Sequence, residues 1–120
     1  MAELTVDSIK QSEVGLIASD WEVLPVSQFG KILTGTTPST KESKFYGGAY
    51  PFISPGDISE DLYVKEAAKT ITKEGLSVCR PLPKNAVLVV CIGATIGKTA
   101  LTWSEESATN QQINAIITYK

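Results

Sequence analysis

The run Ala86-Val87-Leu88-Val89-Val90-Cys91-Ile92 is the clearest pattern in the chain, because no polar residue interrupts it. A run this short and rich in β-branched residues predicts a strand covered on both faces. All of its side chains are expected to be buried, with Cys91 as a small core residue. Lys98 to Trp103 alternates polar and apolar and predicts a second strand paired with the first as a hairpin. Ile113 to Tyr119 predicts a last strand that presents an open sheet edge.

Upstream the pattern is weaker. Trp21 to Leu24 alternates and predicts a short strand. Pro25 suits the first turn of a short helix through Phe29, stopped by Gly30. Lys31 to Thr34 predicts a further strand. Gly35 to Lys44 is dense in Gly, Thr, Ser, Pro and Lys, and predicts a loop. Tyr46 to Pro55 mixes aromatic residues with Gly and Pro, which predicts an edge strand. Ile58 to Val64 favours no single state. Lys65 to Leu76 is the best helical stretch, with Gly75 as its stop, although Thr70, Ile71 and Thr72 are poor helix formers. Ser104 to Gln112 reads as a polar loop. Residues 1–20 form a mixed, polar arm with helix potential around Leu4 to Lys10, and residues 21–120 form the packed domain. The fold class is α+β: one domain with a mixed, mainly antiparallel twisted sheet and short helices.

Composition narrows the chemistry. The 120 residues are 42% hydrophobic and 20% charged, which suits one globular domain with a modest core. No apolar stretch is long enough to cross a bilayer. Met1 to Thr5 lacks the basic start and apolar core of a secretory leader. A cytoplasmic location is expected, with Cys79 and Cys91 reduced. Histidine is absent from the sequence. That removes the usual general base, the common nucleophile pairs and most zinc sites. Asp57, Glu60 and Asp61 cluster beside Pro55-Gly56, and are expected to form a solvated loop in which Asp57 caps a short helix, rather than a magnesium site. With so few carriers of chemistry, a binding module is the better reading.

The net charge of −2 is less informative than its distribution. Residues 1–22 carry a net −4. Residues 62–104 carry a net +4, from Lys65, Lys69, Lys73, Arg80, Lys84 and Lys98 against Glu66 and Glu74. The second half of the domain can therefore present a basic face.

Gly93-Ala94-Thr95-Ile96-Gly97-Lys98-Thr99 follows the apolar run and superficially matches a phosphate-binding P-loop. That pattern needs four residues between its first glycine and the Gly-Lys pair. Here three separate Gly93 from Gly97, and Ile92 occupies the required glycine position. The expectation is a tight turn between strands, with no ATP or GTP site.

Five blocks in a fixed order carry a resemblance to a known family. They are Gly15-Leu16-Ile17 leading to Asp20-Trp21-Glu22 and Leu24; Gly35-Thr36-Thr37-Pro38-Ser39; Tyr46-Gly47-Gly48 leading to Pro51-Phe52-Ile53-Ser54-Pro55-Gly56-Asp57-Ile58; Leu82-Pro83-Lys84 with the apolar run and Gly97-Lys98-Thr99-Ala100; and Ala108-Thr109-Asn110-Gln111-Gln112-Ile113-Asn114-Ala115-Ile116. From about Val14 onward the chain resembles the target recognition domain of type I restriction–modification specificity subunits. The resemblance implies a non-catalytic reader of one half of a bipartite site. Its implied partners are double-stranded DNA, a methyltransferase subunit, a restriction subunit reached through that complex, and a second specificity chain. It implies no cofactor of its own, with S-adenosylmethionine and ATP belonging to the partners. The family's domain continues past the Asn-Gln-Gln block into a long helix, so the chain reads as C-terminally incomplete. The alternative reading is a truncated fragment that acts as an assembly module with a methyltransferase or another specificity chain.

The DNA-contact candidates are Lys41, Lys44 and Tyr46 in and beside the Gly/Thr/Ser loop, and Arg80, Lys84 and Lys98 in the basic segment. Cations suit phosphates, and loops suit variable recognition. Asn110, Gln111 and Gln112 have amides able to pair with adenine. As parts of a fixed signature in a family that reads many sequences, they are expected to brace loops instead. The same logic assigns scaffold roles to Pro38, Tyr46, Gly47, Gly48, Pro51 and Asp57. Trp21 and Trp103 are expected to be core or rim aromatics rather than stacking platforms.

Overall fold

Register across the largest sheet determines where the core lies. The computed structural model describes residues 9–119. Its strands are β1 (Ile9–Ser12), β2 (Gly15–Ala18), β3 (Gly30–Thr34), β4 (Tyr46–Ile53), β5 (Tyr63–Val64), β6 (Lys69–Ile71), β7 (Val87–Val90), β8 (Thr99–Thr102), β9 (Ala108–Thr109) and β10 (Ile113–Thr118), with one short α-helix, α1 (Lys73–Ser77). β1 and β2 form a separate hairpin, and the other strands form a five-stranded sheet ordered β3-β10-β7-β8-β5 and a three-stranded sheet ordered β6-β4-β9. Pairing is antiparallel except between β5 and β8 and between β4 and β9. The mixed, mainly antiparallel expectation holds, with strand outweighing helix.

Side chains alternate across a pleated strand, so in-register residues share a face. Leu33, Ala115, Leu88 and Ala100 lie opposite one another across four strands, and Ile113 faces Val90. With Ile53, Ile58, Val64 and Leu82 they form the larger core. The opposite face carries the row Ile32, Ile116, Val87, Leu101 and Tyr63, which is half-buried to exposed. A smaller core of Phe52, Ile71, Leu76 and Ala108 lies under the three-stranded sheet, with Tyr46, Tyr50 and Cys79 against it.

Several expectations need correction. The apolar run is covered on one face only: Leu88 and Val90 are buried, whereas Val87 and Val89 are half-buried. Cys91 and Ile92 are exposed. The ladder ends where Val90 meets Ile113, and the chain then leaves the sheet. Ile113–Thr118 is an interior strand between β3 and β7, not an open edge. β4 is likewise the middle strand of its sheet. Pro51 lies opposite Thr70 of β6 and outside the two residues, Phe52 and Ile53, that pair with β9.

The helix expected over Lys65–Leu76 is mostly absent. The β-branched Thr70 and Ile71 pair with β4 instead. The Thr72 hydroxyl accepts the Gly75 N–H at 3.1 Å and caps α1, which starts at Lys73. Gly75 lies inside that helix rather than ending it. A Cβ there would stand 2.3 Å from the Phe45 carbonyl oxygen, so the residue is glycine for close packing. Trp21–Leu24 is exposed and forms no strand, and β3 itself takes the sheet edge. Ala108–Thr109, inside the expected loop, is a short buried strand. Ile9 and Lys10 belong to β1, and the rest of the helix potential at Leu4–Lys10 lies outside the described residues. Pro25 does open a helical turn, of 3-10 type, at Val26–Gln28.

Candidate nucleic-acid interface

The candidate residues rest on three separate parts of this scaffold. At one end of the main sheet, the β7–β8 turn is closed by Gly97 N–H to Val90 C=O and Val90 N–H to Lys98 C=O, both 2.9 Å. Gly93 and Gly97 adopt φ of 108° and 97°, which side chains disfavour. The arrangement is strand–turn–strand. A P-loop needs a helix N-terminus after the glycines, and none follows here. Lys98 follows the turn, and its Nζ donates to the Ile58 carbonyl at 2.8 Å. One ammonium proton is thereby used and two are left. Arg80 is exposed nearby, with Nη1 donating to Thr34 C=O at 3.1 Å.

The amide block braces this end, as expected. Gly35 N–H donates to Ile113 C=O and Thr36 N–H to Thr109 C=O, both at 3.1 Å. Asn110 Oδ1 accepts Gln112 N–H at 3.1 Å, and Asn110 Nδ2 donates to Gln112 Oε1 at 3.2 Å. Thr37 bonds the Gln111 side chain. These amides hold the start of the Gly/Thr/Ser loop against the sheet. Asp57 is also structural: one oxygen accepts Ser54 N–H and the other Ala68 N–H, both 2.9 Å. Among the described residues no carboxylate or thiol cluster could hold a metal ion.

The second part is the Gly/Thr/Ser loop itself. Tyr46 donates its hydroxyl to Pro38 C=O at 2.7 Å and fastens the loop to β4. Burial, then the neighbouring Cys79, raises the Tyr46 phenol above its ordinary range, so it stays a donor. Burial also raises the Cys79 thiol. Lys41 and Lys44 are exposed, and Lys44 Nζ stands 5.5 Å from the Phe45 ring centre. A cleft of about 550 Å³ opens beside them, lined by Thr40, Ser43, Tyr46, Lys69 and Thr70 among others.

The third part lies at the far end of the five-stranded sheet. Lys84 precedes β7, whereas Lys98 precedes β8, which runs antiparallel to it, so the two lysines occupy opposite ends. The Lys84 Nζ sits 4.2 Å from the Trp103 ring centre, and Lys65 Nζ sits 4.8 Å from the same point. Tyr63 meets Trp103 edge to face, with centroids 5.0 Å apart at 74°. Trp103 is 41% exposed, a rim aromatic as expected. Sequence reasoning did not connect Lys65 and Trp103 to the candidates. No local spacing could have done so, because the parallel pairing of β5 with β8 brings them together.

The described residues thus form a small β-rich domain with its candidate cations and its bracing amides at turns and loops. The chain belongs to the type I restriction modification DNA specificity domain family, whose model matches residues 18–120. It is 33% identical over 112 residues to the specificity subunit of the type I restriction enzyme MjaIX of Methanocaldococcus jannaschii, covering 90% of this chain and 26% of that protein. It is 35% identical over 99 residues to the HindI specificity subunit of Haemophilus influenzae, covering 81% of this chain and 21% of that protein. The chain thus spans about a quarter of the length of these relatives. No helix among the described residues is long and apolar enough to cross a membrane.

Proposed function

We propose that this domain reads one half of a bipartite DNA sequence within a type I specificity subunit, and directs methyltransferase and restriction partners to it without doing chemistry itself. Beyond family membership, one observation supports the reading. The candidate cations Lys41, Lys44, Arg80 and Lys98 are exposed and Lys84 is half-buried, which puts positive charge at the surface for phosphates. In this reading Tyr46 shapes the loop by its bond to Pro38. Lys41, Lys44 and the neighbouring Thr and Ser side chains face base edges, and Arg80, Lys84 and Lys98 contact backbone.

The test is a titration of the chain against random duplexes at low and moderate salt. Binding should be weak, salt-sensitive and poorly selective. Each good base contact adds only about 1–3 kcal/mol of discrimination, and one isolated domain makes few of them. Replacing Lys84 and Lys98 together should weaken all duplexes alike. Changes at Lys41 or Lys44 should instead alter sequence preference in an assembled complex. Absence of duplex binding at low salt, together with stable capture of a methyltransferase subunit, would favour the assembly-module reading.

A further inference from the structure

Two ammonium groups within 5 Å of one ring centre are an unusual use of lysine. Their distances place Lys65 Nζ and Lys84 Nζ at most about 9 Å apart. Like charges at that range repel, and the attraction of each for the indole face offsets this. A lysine that merely covers an aromatic ring lays its methylene stem along it and sends the charge into water. Here the charged ends themselves stand at the ring. The cluster is built by three separated segments: the chain after β5, the approach to β7 and the end of β8. Two bonds fix the middle segment. Thr102, buried on β8, accepts Ala86 N–H at 2.9 Å and donates to Pro83 C=O at 2.6 Å, on either side of Lys84. Tyr63 fixes the ring from its edge. The result is a pre-set pair of positive charges on one ring.

We infer that Trp103 is a positioning residue that holds Lys65 and Lys84 as a two-point clamp on duplex DNA phosphates, at the end of the sheet opposite Lys98. This rests on the DNA-reading function proposed above, and adds Lys65 and Trp103 to it. Duplex DNA is the ligand, because the family is a DNA specificity domain and the cluster holds two of the six cations of residues 62–104. The two cation groups then meet the duplex at two separated places. They fix the domain's orientation on the duplex while base contacts made elsewhere read sequence.

The test uses the whole chain and a random duplex followed by anisotropy over a salt series. K65Q and K84Q should each reduce the slope of log affinity against log salt by about 0.9, and the double variant by about twice that. W103L keeps both charges, yet should weaken binding at least about threefold, while W103F restores most of it because a ring face remains. In a Trp21→Phe background Trp103 is the only tryptophan, and its emission should change along the same isotherm as the anisotropy. Thermal melts confirm that each variant is folded. If the wild type binds and K98Q lowers its slope, but the double lysine variant keeps the wild-type slope, the clamp is overturned and the wider reading survives. Trp103 emission blind to a saturating duplex overturns it equally. If the wild type binds no duplex at low salt, both readings fall. A Trp103 response to polyglutamate but not to duplex would instead assign the cluster to an acidic protein.

Discussion

Single residues here act through bonds that their neighbours cannot replace. Thr102 is fully buried and satisfies Ala86 N–H and Pro83 C=O together. Thr102→Val keeps the shape and strands both groups. It should cost about 1–3 kcal/mol in a urea melt, the penalty of unpaired buried polar groups. Titration of Cys79 and Tyr46 should be visible in the same experiment. Both are acids whose folded pKa is raised, Cys79 by burial and Tyr46 by burial and then Cys79. Their contribution to stability is complete below the pH at which the unfolded groups ionise. It is lost as pH rises through the alkaline range toward the folded values. Stability should therefore fall on the alkaline side, and Cys79→Ala should flatten part of that fall. At this scale the sequence was partly readable. Asp57 as a cap follows from residue type and position, and Asn110–Gln112 as a brace follows from the family resemblance. The Trp103 cluster does not, because Lys65, Lys84 and Trp103 meet only once β5 lies beside β8.

Among elements, β7 shows what a hydrophobic run can and cannot foretell. Seven apolar residues fixed the existence and central place of a strand. They did not fix its ends, because a strand stops where its partners stop, and β10 begins at Ile113 opposite Val90. Leu88→Ala should therefore destabilise the domain by about 2–5 kcal/mol, as for a buried leucine. Ile92→Ala, at a residue 56% exposed, should change it by no more than about 0.5 kcal/mol. Equal effects in thermal melts would show that Ile92 is packed after all. The misread helix at Lys65–Leu76 has the same origin. Its Thr-Ile-Thr centre prefers a strand, and the strand forms because β4 offers an edge sixteen or more residues away in sequence. Short apolar runs say that a segment is buried, and tertiary pairing decides in which form.

The whole molecule combines strands joined over long distances with a hairpin that no other strand pairs with among the described residues. Hydrogen exchange should order these parts. Amides of β7 and β10, each paired on both sides, should be the slowest, and those of β1 and β2 should exchange fastest. Comparable protection in the hairpin would reveal a docking contact for it. Strand content and the mainly antiparallel arrangement were legible from alternation and turn residues. Strand order was not, since no local pattern tells β10 to enter between β3 and β7.

That entry governs how the protein can be made. A ribosome releases β3 long before the strand that holds it, since Thr34 bonds Asn114 across 80 positions. At about 5–20 residues per second, β3 waits roughly 4–16 s for its partner. During that interval Ile32 and Leu33 have no sheet to join, and the Gly35–Thr37 loop lacks the Asn110–Gln112 block that will hold it. The Gly35–Thr37 loop therefore takes shape only with closure of the sheet. Nascent chains stalled before Asn110 should bind holdase chaperones, and release should coincide with synthesis of β10.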